Sequence, residues 1–248
     1  MIFWFAYKHT SEIKKALALA FVALALDVAA MAQQTQRFAE GTHTARLILD
    51  VLSKAHVSGA FEYEGRCGPG VLVPDFPPIR GHQKFNARDP VDTLRSMFSI
   101  GGQILISKEA NGIIRVVGSG VQTDILGVRI NHLSFNKVSD PEEALNAVLS
   151  APEVESFILT HGIGQPFNVH VLPPYLWSGN KSPGIRSISG ELKGVTLAEA
   201  LDYILSKFPG FWLYQNCESL GGQRVVHFGF FPIPGRVWMW EDGQTFVK

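Results

Sequence analysis

The sequence of 248 residues contains only two cysteines, Cys67 and Cys217, and no excess of either charge. It has 22 Lys and Arg residues against 22 Asp and Glu residues, so it lacks the strongly basic footprint of a nucleic-acid-binding protein. After residue 32 no apolar run approaches the roughly 18 residues of a membrane-spanning helix, which predicts no membrane span in the rest of the chain. No H-E-x-x-H, C-x-x-C, P-loop or G-x-S-x-G pattern occurs. Motifs therefore predict no metal site, no cofactor and no catalytic residue.

The first 32 residues have the pattern of a secretory signal peptide. Three lysines precede an apolar run at residues 16–26, and an A-M-A cleavage site follows at residues 30–32. Eleven apolar residues make about 16 Å of helix, roughly half the thickness of the hydrocarbon core of a bilayer. The alternative is a retained anchor, which would place Asp27 in the membrane at a cost in free energy. We expect cleavage after Ala32 and a periplasmic or extracellular location.

An exported protein with two cysteines is expected to form a disulfide. A bond between Cys67 and Cys217 would close a loop of about 150 residues and would stabilise the fold by constraining the unfolded chain. The alternative is two buried, unpaired thiols. No cysteine-protease signature surrounds either residue, which does not favour a nucleophilic role.

Three segments have the signature of a helix start. Asp89, Asp140 and Thr196 are each followed three positions later by an acidic residue, and proline directly follows the two aspartates. Apolar residues then recur at three- and four-residue spacing, which predicts helices with one buried face. An earlier stretch, residues 44–56, has the same character.

Short runs rich in β-branched and aromatic residues alternate with these helices. The fold class predicted is α+β, with three to four amphipathic helices packed on a mainly antiparallel sheet built from βαβ-like units. The dipeptide Asn111-Gly112 predicts a hairpin turn between two of the strands. The predicted strands are Gly59–Tyr63, Gln103–Ser107, Ile113–Val117, Leu126–Phe135, Ser156–Thr160, Ile185–Leu192, Phe211–Tyr214 and Arg224–Phe230.

A stretch rich in proline and glycine suggests how the chain is divided. Residues 166–184 are predicted to connect an α/β region at residues 33–165 to a βαββ unit and tail at residues 185–248. The segments 89–107 and 196–214 also align without a gap, which indicates either an internal duplication or convergence on a common helix–strand pattern.

One part of the pattern resembles a known family. The sequence V-T-L-x-x-A-L-x-x-I-L at residues 195–205, followed by F-W-L-Y at residues 211–214 and a glycine-bounded strand, resembles the short N-terminal domain of secretins and TonB-dependent receptors. Residues 126–160 resemble a looser second copy, so the resemblance covers residues 126–160 and 185–230. It implies βαβ-type units that lie in the periplasm, bind protein partners and do no chemistry.

Aromatic residues near the C-terminus provide a candidate binding surface. Alternation along two strands places Trp212 and Tyr214 on one face, and an antiparallel partner strand carries Phe228 and Phe230. This face either meets more of the same protein or forms an exposed apolar patch. We take the exposed patch as the candidate site for a protein partner.

Few residues suggest chemistry. His161 and His170 lie in one loop region and, with Asp75, could assemble a hydrolase-like site if the fold brought them together. Glu62 and Glu64 lie two apart on a strand and are expected to form a solvated face. The sequence therefore predicts a non-enzymatic, exported protein-interaction module of the cell envelope. The alternatives are an enzyme of unrecognised type and a periplasmic small-ligand-binding protein, which would need an apolar pocket of several hundred Å³.

Overall fold

The computed structural model describes residues 44–65, 89–98, 104–168, 187–219, 221–233, 238–241 and 244–247, with the backbone alone for residues 165–168, 238–241 and 244–247. All of them belong to one unit that spans residues 41–248. In chain order the elements are α1 (44–55), β1 (Gly59–Glu64), α2 (Pro90–Met97), β2 (Ile104–Lys108), β3 (Ile114–Gly118), a short 3-10 helix (Asp124–Gly127), β4 (Arg129–Val138), α3 (Pro141–Leu149), α4 (Pro152–Thr160), β5 (Gly164–Asn168), β6 (Ile188–Thr196), α5 (Leu197–Lys207), β7 (Gly210–Glu218), β8 (Arg224–Pro232), β9 (Trp238–Glu241) and β10 (Gln244–Val247).

The three helix starts predicted from the sequence are present. The side chain of Asp89 accepts from a backbone N–H of the first turn of α2, and that of Asp140 does the same for α3. At α5 the bonds are reciprocal: Thr196 Oγ1 accepts from the N–H of Glu199 at 3.2 Å, and Glu199 Oε2 accepts from the N–H of Thr196 at 2.7 Å. These caps satisfy orphan N–H groups locally, which explains why sequence alone locates them.

Helix α4 corrects one prediction. Residues Ser156–Thr160 were expected to form a strand, but they are the second half of α4. The helix begins with Pro152 at a position where no N–H is needed, and Val154 and Ile158, four residues apart, are its buried side chains. The helical spacing of these two residues therefore decides the structure rather than the β-prone character of the run.

A six-stranded mixed sheet forms the centre of the fold. The strand order is β2-β3-β1-β7-β8-β5. Strand β1 is parallel to both of its neighbours, β3 and β7, whereas the pairs β2–β3 and β7–β8 are antiparallel and β5–β8 is parallel. Two further antiparallel pairs, β4–β6 and β9–β10, lie outside this sheet. With five described helices, the α+β class is confirmed.

The predicted boundary at residues 166–184 does not divide this sheet. Strand β1, from the predicted region 33–165, pairs directly with β7, from the predicted region 185–248. Strand β4 likewise pairs with β6 across the same boundary. Both parts of the sequence thus contribute to each of these sheets, and residues 169–184 lie outside the described part of the chain.

Both faces of the central sheet are covered. On one face, Phe61, Phe211 and Leu213 pack in a cluster with α1 and α2. On the other face, Ala60 and Trp212 pack in a second cluster with α3, α4, α5 and strands β4 and β6. Neighbouring residues of a strand point to opposite faces, so β1 and β7 are buried on both sides. The result is a three-layer arrangement with the sheet in the middle.

The two segments that align in sequence share a local order but not a position. Each is a helix followed by an antiparallel hairpin, α2–β2–β3 and α5–β7–β8. The first hairpin contacts β1 through its second strand, β3, whereas the second hairpin contacts β1 through its first strand, β7. The helices also lie on opposite faces of the sheet, since α2 belongs to one apolar cluster and α5 to the other.

Among the residues that the structure describes, no helix is both long and apolar enough to cross a membrane.

Candidate functional site

The aromatic residues proposed as a binding face lie inside the protein. Trp212, Tyr214 and Phe228 are fully buried, and Phe230 packs against the same cluster with partial exposure. Helices α3 and α5 cover this face of β7 and β8. These four residues therefore do not form an exposed binding face, which corrects that prediction.

The two cysteines differ in what the structure describes. Cys217 is buried in β7, opposite Val225 of β8. Cys67 lies outside the described residues. The disulfide between Cys67 and Cys217 stays a prediction.

The hydrolase-like constellation is described at only one of its three positions. His161 is exposed at the end of α4, where its ring stacks on Phe157 with 3.8 Å between centroids and Nδ1 lies 2.9 Å from the Phe157 carbonyl oxygen. His170 and Asp75 lie outside the described residues. Within the described ranges, no group of three or more His, Cys, Asp or Glu residues is arranged to hold a metal ion.

A buried group of polar side chains is centred on Arg115 of β3. Its guanidinium donates to Glu62 of β1 and, at 3.0 Å, to Asp202 of α5. Asp202 also accepts from the indole N–H of Trp212 at 2.8 Å, and Arg115 lies over the Trp212 ring at 5.5 Å from its centroid. The amide of Asn111 lies 3.5 Å from Asp202. This Arg115 cluster connects β1, β3, β7, α5 and the β2–β3 turn.

Burial dominates the electrostatics of the Arg115 cluster. It raises the pKa of the Glu62 carboxyl above its ordinary value, even though Arg115 acts in the opposite direction. Burial also raises the pKa of Asp202, against the lowering effects of Trp212 and Arg115. One guanidinium thus faces two buried carboxyl groups, with Glu109 3.8 Å away at a more exposed position. The expectation of a solvated face holds for Glu64 and is wrong for Glu62, which is 6% exposed.

A second group of polar side chains is centred on Arg224, the first residue of β8. Its guanidinium makes a bidentate pair with Asp124, in which Nη1 and Oδ2 are 2.9 Å apart. Arg224 also donates to Asn216 Oδ1 at 2.6 Å and to the Tyr214 hydroxyl oxygen at 3.1 Å. The Tyr214 hydroxyl in turn donates to the Gln122 carbonyl at 2.6 Å. This Arg224 cluster fastens the 3-10 helix region to β7 and β8.

In the Arg224 cluster the effect of the arginine on the carboxylate pKa outweighs that of burial. The hydrogen bond from Arg224 lowers the pKa of Asp124, outweighing partial burial. Burial raises the pKa of Tyr214 to about 12. One cation and one carboxylate balance each other here, and the carboxylate is close to water. In both clusters the arginine donates to partners within the chain, and these bonds hold elements of the fold together.

The exposed edge of the central sheet is a different kind of surface. Among the described strands, β2 forms one edge of the central sheet and pairs only with β3. Leu105 in this strand is 77% exposed, whereas Ile106 is buried against α1 and α2. Only one other large apolar side chain in the described ranges is so exposed: Leu159 of α4, at 76%. An exposed apolar side chain on an edge strand is unusual, because the open side of such a strand invites pairing with another chain.

Hydrogen bonds at the hairpin turn fix which groups of β2 face outward. The N–H of Glu109 donates to the Ile113 carbonyl at 2.8 Å, and that of Gly112, at a φ of +85°, donates to the Glu109 carbonyl at 2.9 Å. Pairs in an antiparallel ladder alternate between bonded and non-bonded. Leu105 and Ser107 are therefore bonded to β3, while residues 104, 106 and 108 direct their N–H and C=O groups away from the sheet.

The sequence predicts β2 and its turn but not the position of β2 at the edge of the sheet. The strand and the Asn-Gly signal are local, whereas the edge position depends on how six strands are ordered. The one available signal was the sequence I-L-I-S-K, which places an apolar residue on each face and ends in lysine, a residue common at sheet edges.

In comparisons with protein-family models, with curated proteins and with solved structures, nothing matches this chain. The resemblance of residues 126–160 and 185–230 to the short N-terminal domain of secretins and TonB-dependent receptors stays a prediction.

Proposed function

We propose that the chain is an exported, non-enzymatic protein-interaction module of the cell envelope, and that it binds its partner through strand β2. The observation that carries the proposal is Leu105, a large apolar side chain that is 77% exposed on a strand with one free edge. Burying such a side chain against a partner would contribute roughly 1.5 to 3 kcal/mol.

The organisation of the polar residues supports this proposal. The Arg115 and Arg224 clusters are directed at partners within the chain. Histidine is the residue that most often acts as a general base. Of the two histidines in the hydrolase-like constellation, His161 stacks on Phe157 at the surface, and His170 lies outside the described residues. The described members of these clusters thus serve packing, whereas β2 combines an open sheet edge with an exposed apolar side chain.

Export is supported by the leader pattern at residues 1–32, which is read from the sequence. The resemblance to a periplasmic domain that binds proteins points in the same direction. Residues 1–43 lie outside the described part of the chain, so the leader pattern is independent of the fold.

Site-specific photo-crosslinking in cells tests the proposal. A photoreactive amino acid replaces Leu105 in one variant and Leu159 in a matched control, because the two positions are almost equally exposed and only the first lies on a strand edge. We expect one defined adduct from position 105 in the envelope fraction and none from position 159. Equal yields from both positions, or an intact cytosolic protein that still begins at Met1, would contradict the proposal.

A further inference from the structure

Strand β2 presents a short row of backbone groups that the sheet leaves unpaired. The N–H and C=O groups of Ile104, Ile106 and Lys108 face away from β3. Ile114 confirms the alternation from the other side, because its N–H donates to the Ser58 carbonyl, towards β1, at 2.9 Å. The row therefore has the geometry that accepts one more strand.

Arg95 of α2 partly closes this row. Its Nη2 donates to the Ile106 carbonyl at 3.4 Å, while its Nη1 is bonded to Asp92. The Arg95 side chain is 58% exposed, so it can turn into solvent without leaving a buried charge. A charged side chain over an edge is a common guard against unspecific pairing. Here Arg95 covers the Ile106 carbonyl and leaves the N–H of Ile106 open to a partner.

The side chains of β2 define what the added strand would carry. Leu105 points to one face of the sheet, and Lys108 lies at the end of the strand on the other face. Lys108 is exposed and makes no ion pair with any described residue. An apolar side chain opposite Leu105 and an acidic one near Lys108 would complement both faces.

Charge and area favour a segment of another protein over a second copy of this chain. The only charged residue of β2 is Lys108, so a second copy of this strand offers it no carboxylate, and Arg95 is already paired with Asp92. Five residues per strand also offer less than the roughly 1,000 Å² that a stable interface between folded proteins needs. An extended segment can carry that carboxylate, and as a single strand on a short edge it would bind weakly and reversibly.

We propose that β2 accepts an extended, acidic segment of a partner protein as an additional strand, with an apolar residue of that segment against Leu105 and a carboxylate near Lys108. This inference rests on the proposed function and specifies its binding mode. Backbone hydrogen bonds supply the attraction, and the two side chains supply the preference.

Residue-resolved amide hydrogen exchange on the full exported chain tests the inference. The probe is the synthetic peptide Ac-TVEVTVE-NH2, with Ac-TVKVTVK-NH2 as its charge-reversed counterpart. We expect the acidic peptide to slow exchange at Ile104, Ile106 and Lys108 and to leave Leu105 and Ser107 unchanged, because the last two are already bonded to β3. The lysine peptide should bind about fivefold more weakly.

Two variants separate the backbone from the side chain. Lys108→Pro removes an outward N–H without removing a bond to β3, and should abolish the protection while the fold persists. Lys108→Ala keeps the N–H and should remove only the preference for the acidic peptide. Arg95→Ala should strengthen binding about two- to threefold, because it uncovers the Ile106 carbonyl.

Several results would overturn the inference. Equal binding of the two peptides would remove the charge preference, and protection confined to Leu105 and Ser107 would place the outward groups elsewhere. Protection of Ile104, Ile106 and Lys108 that rises with protein concentration alone would identify a second copy as the occupant. A crosslinked partner without this exchange pattern would leave the proposed function standing and remove the binding mode. The exchange pattern without any crosslink from position 105 would leave the binding mode standing and remove the proposed function.

Discussion

Arg115 and Arg224 each hold a group of polar side chains in the same sheet, but their carboxyl partners lie at different depths. Arg115 lies between the sheet and α5 and faces two buried carboxyl groups. Arg224 lies at the start of β8 and faces one carboxylate that is 48% exposed. Burial raises the carboxyl pKa values in the first cluster, whereas the arginine lowers that of Asp124 in the second. Depth therefore decides the sign of the pKa shift.

The largest expected effect comes from removing Arg115, the arginine whose carboxyl partners are the more buried. Arg115→Met leaves Glu62 and Asp202 buried without a counter-charge, and we expect a loss of about 3 to 5 kcal/mol in the free energy of unfolding at pH 7. Urea denaturation followed by tryptophan fluorescence measures it. A loss below that of the matched substitution at Arg224 would reverse the comparison.

That matched substitution, Arg224→Met, should cost less. It removes the bidentate pair with Asp124 and the bond to Tyr214, but Asp124 can be hydrated in the variant. We expect a loss of about 1 to 2 kcal/mol by the same denaturation measurement. A cost equal to that of Arg115→Met would show that the Arg224 cluster is not as accessible to water as the structure indicates.

The buried cluster should give stability a distinctive dependence on pH. Because the folded state raises the pKa of Glu62 above its ordinary 4.5, the contribution of this group is present below that pH and is lost as pH rises through the folded value. Glu62→Gln removes this dependence. The stability of the wild type relative to Glu62→Gln should fall with rising pH, by at most about 1.4 kcal/mol per pH unit. A difference that is constant from pH 4 to pH 8 would contradict the raised pKa.

The smallest effect on stability is expected at Asp124, and its dependence on pH is opposite in sign to that of Glu62. Its folded pKa lies below the ordinary 3.8, so its contribution is present above that pH and is lost as pH falls through the folded value. Solvent screening at this half-exposed position keeps the difference between wild type and Asp124→Asn below about 1 kcal/mol. Thermal unfolding between pH 2.5 and pH 6 measures it. A wild-type advantage that grows towards acid would mean that the two clusters do not differ in sign.

The same two clusters show what the sequence could and could not predict. The caps at Asp89, Asp140 and Thr196 involve residues a few positions apart, and the sequence located all three. The pairing of Glu62 with Arg115 spans 53 positions and depends on the β1–β3 register, which no local pattern encodes. Glu62 was therefore expected in water.

The aromatic face was misjudged for a related reason. Alternation correctly placed Trp212 and Tyr214 on one face of β7, but whether helices cover that face depends on the packing of α3 and α5. The sequence does not predict the edge at Leu105, because a strand lies at an edge only through the order of all the strands in the sheet. Local signals predicted the elements, and non-local order determined which surface remained open.

The central claim is that the polar clusters hold the layers together and leave binding to strand β2. Its most direct test is amide hydrogen exchange on the full exported chain, free and in complex with the protein crosslinked at position 105. The account predicts that complex formation slows exchange at Ile104, Ile106 and Lys108 and leaves the amides of Tyr214 and Arg224 as they are. Slowing that is centred on Tyr214 and Arg224, with no change along β2, would contradict it.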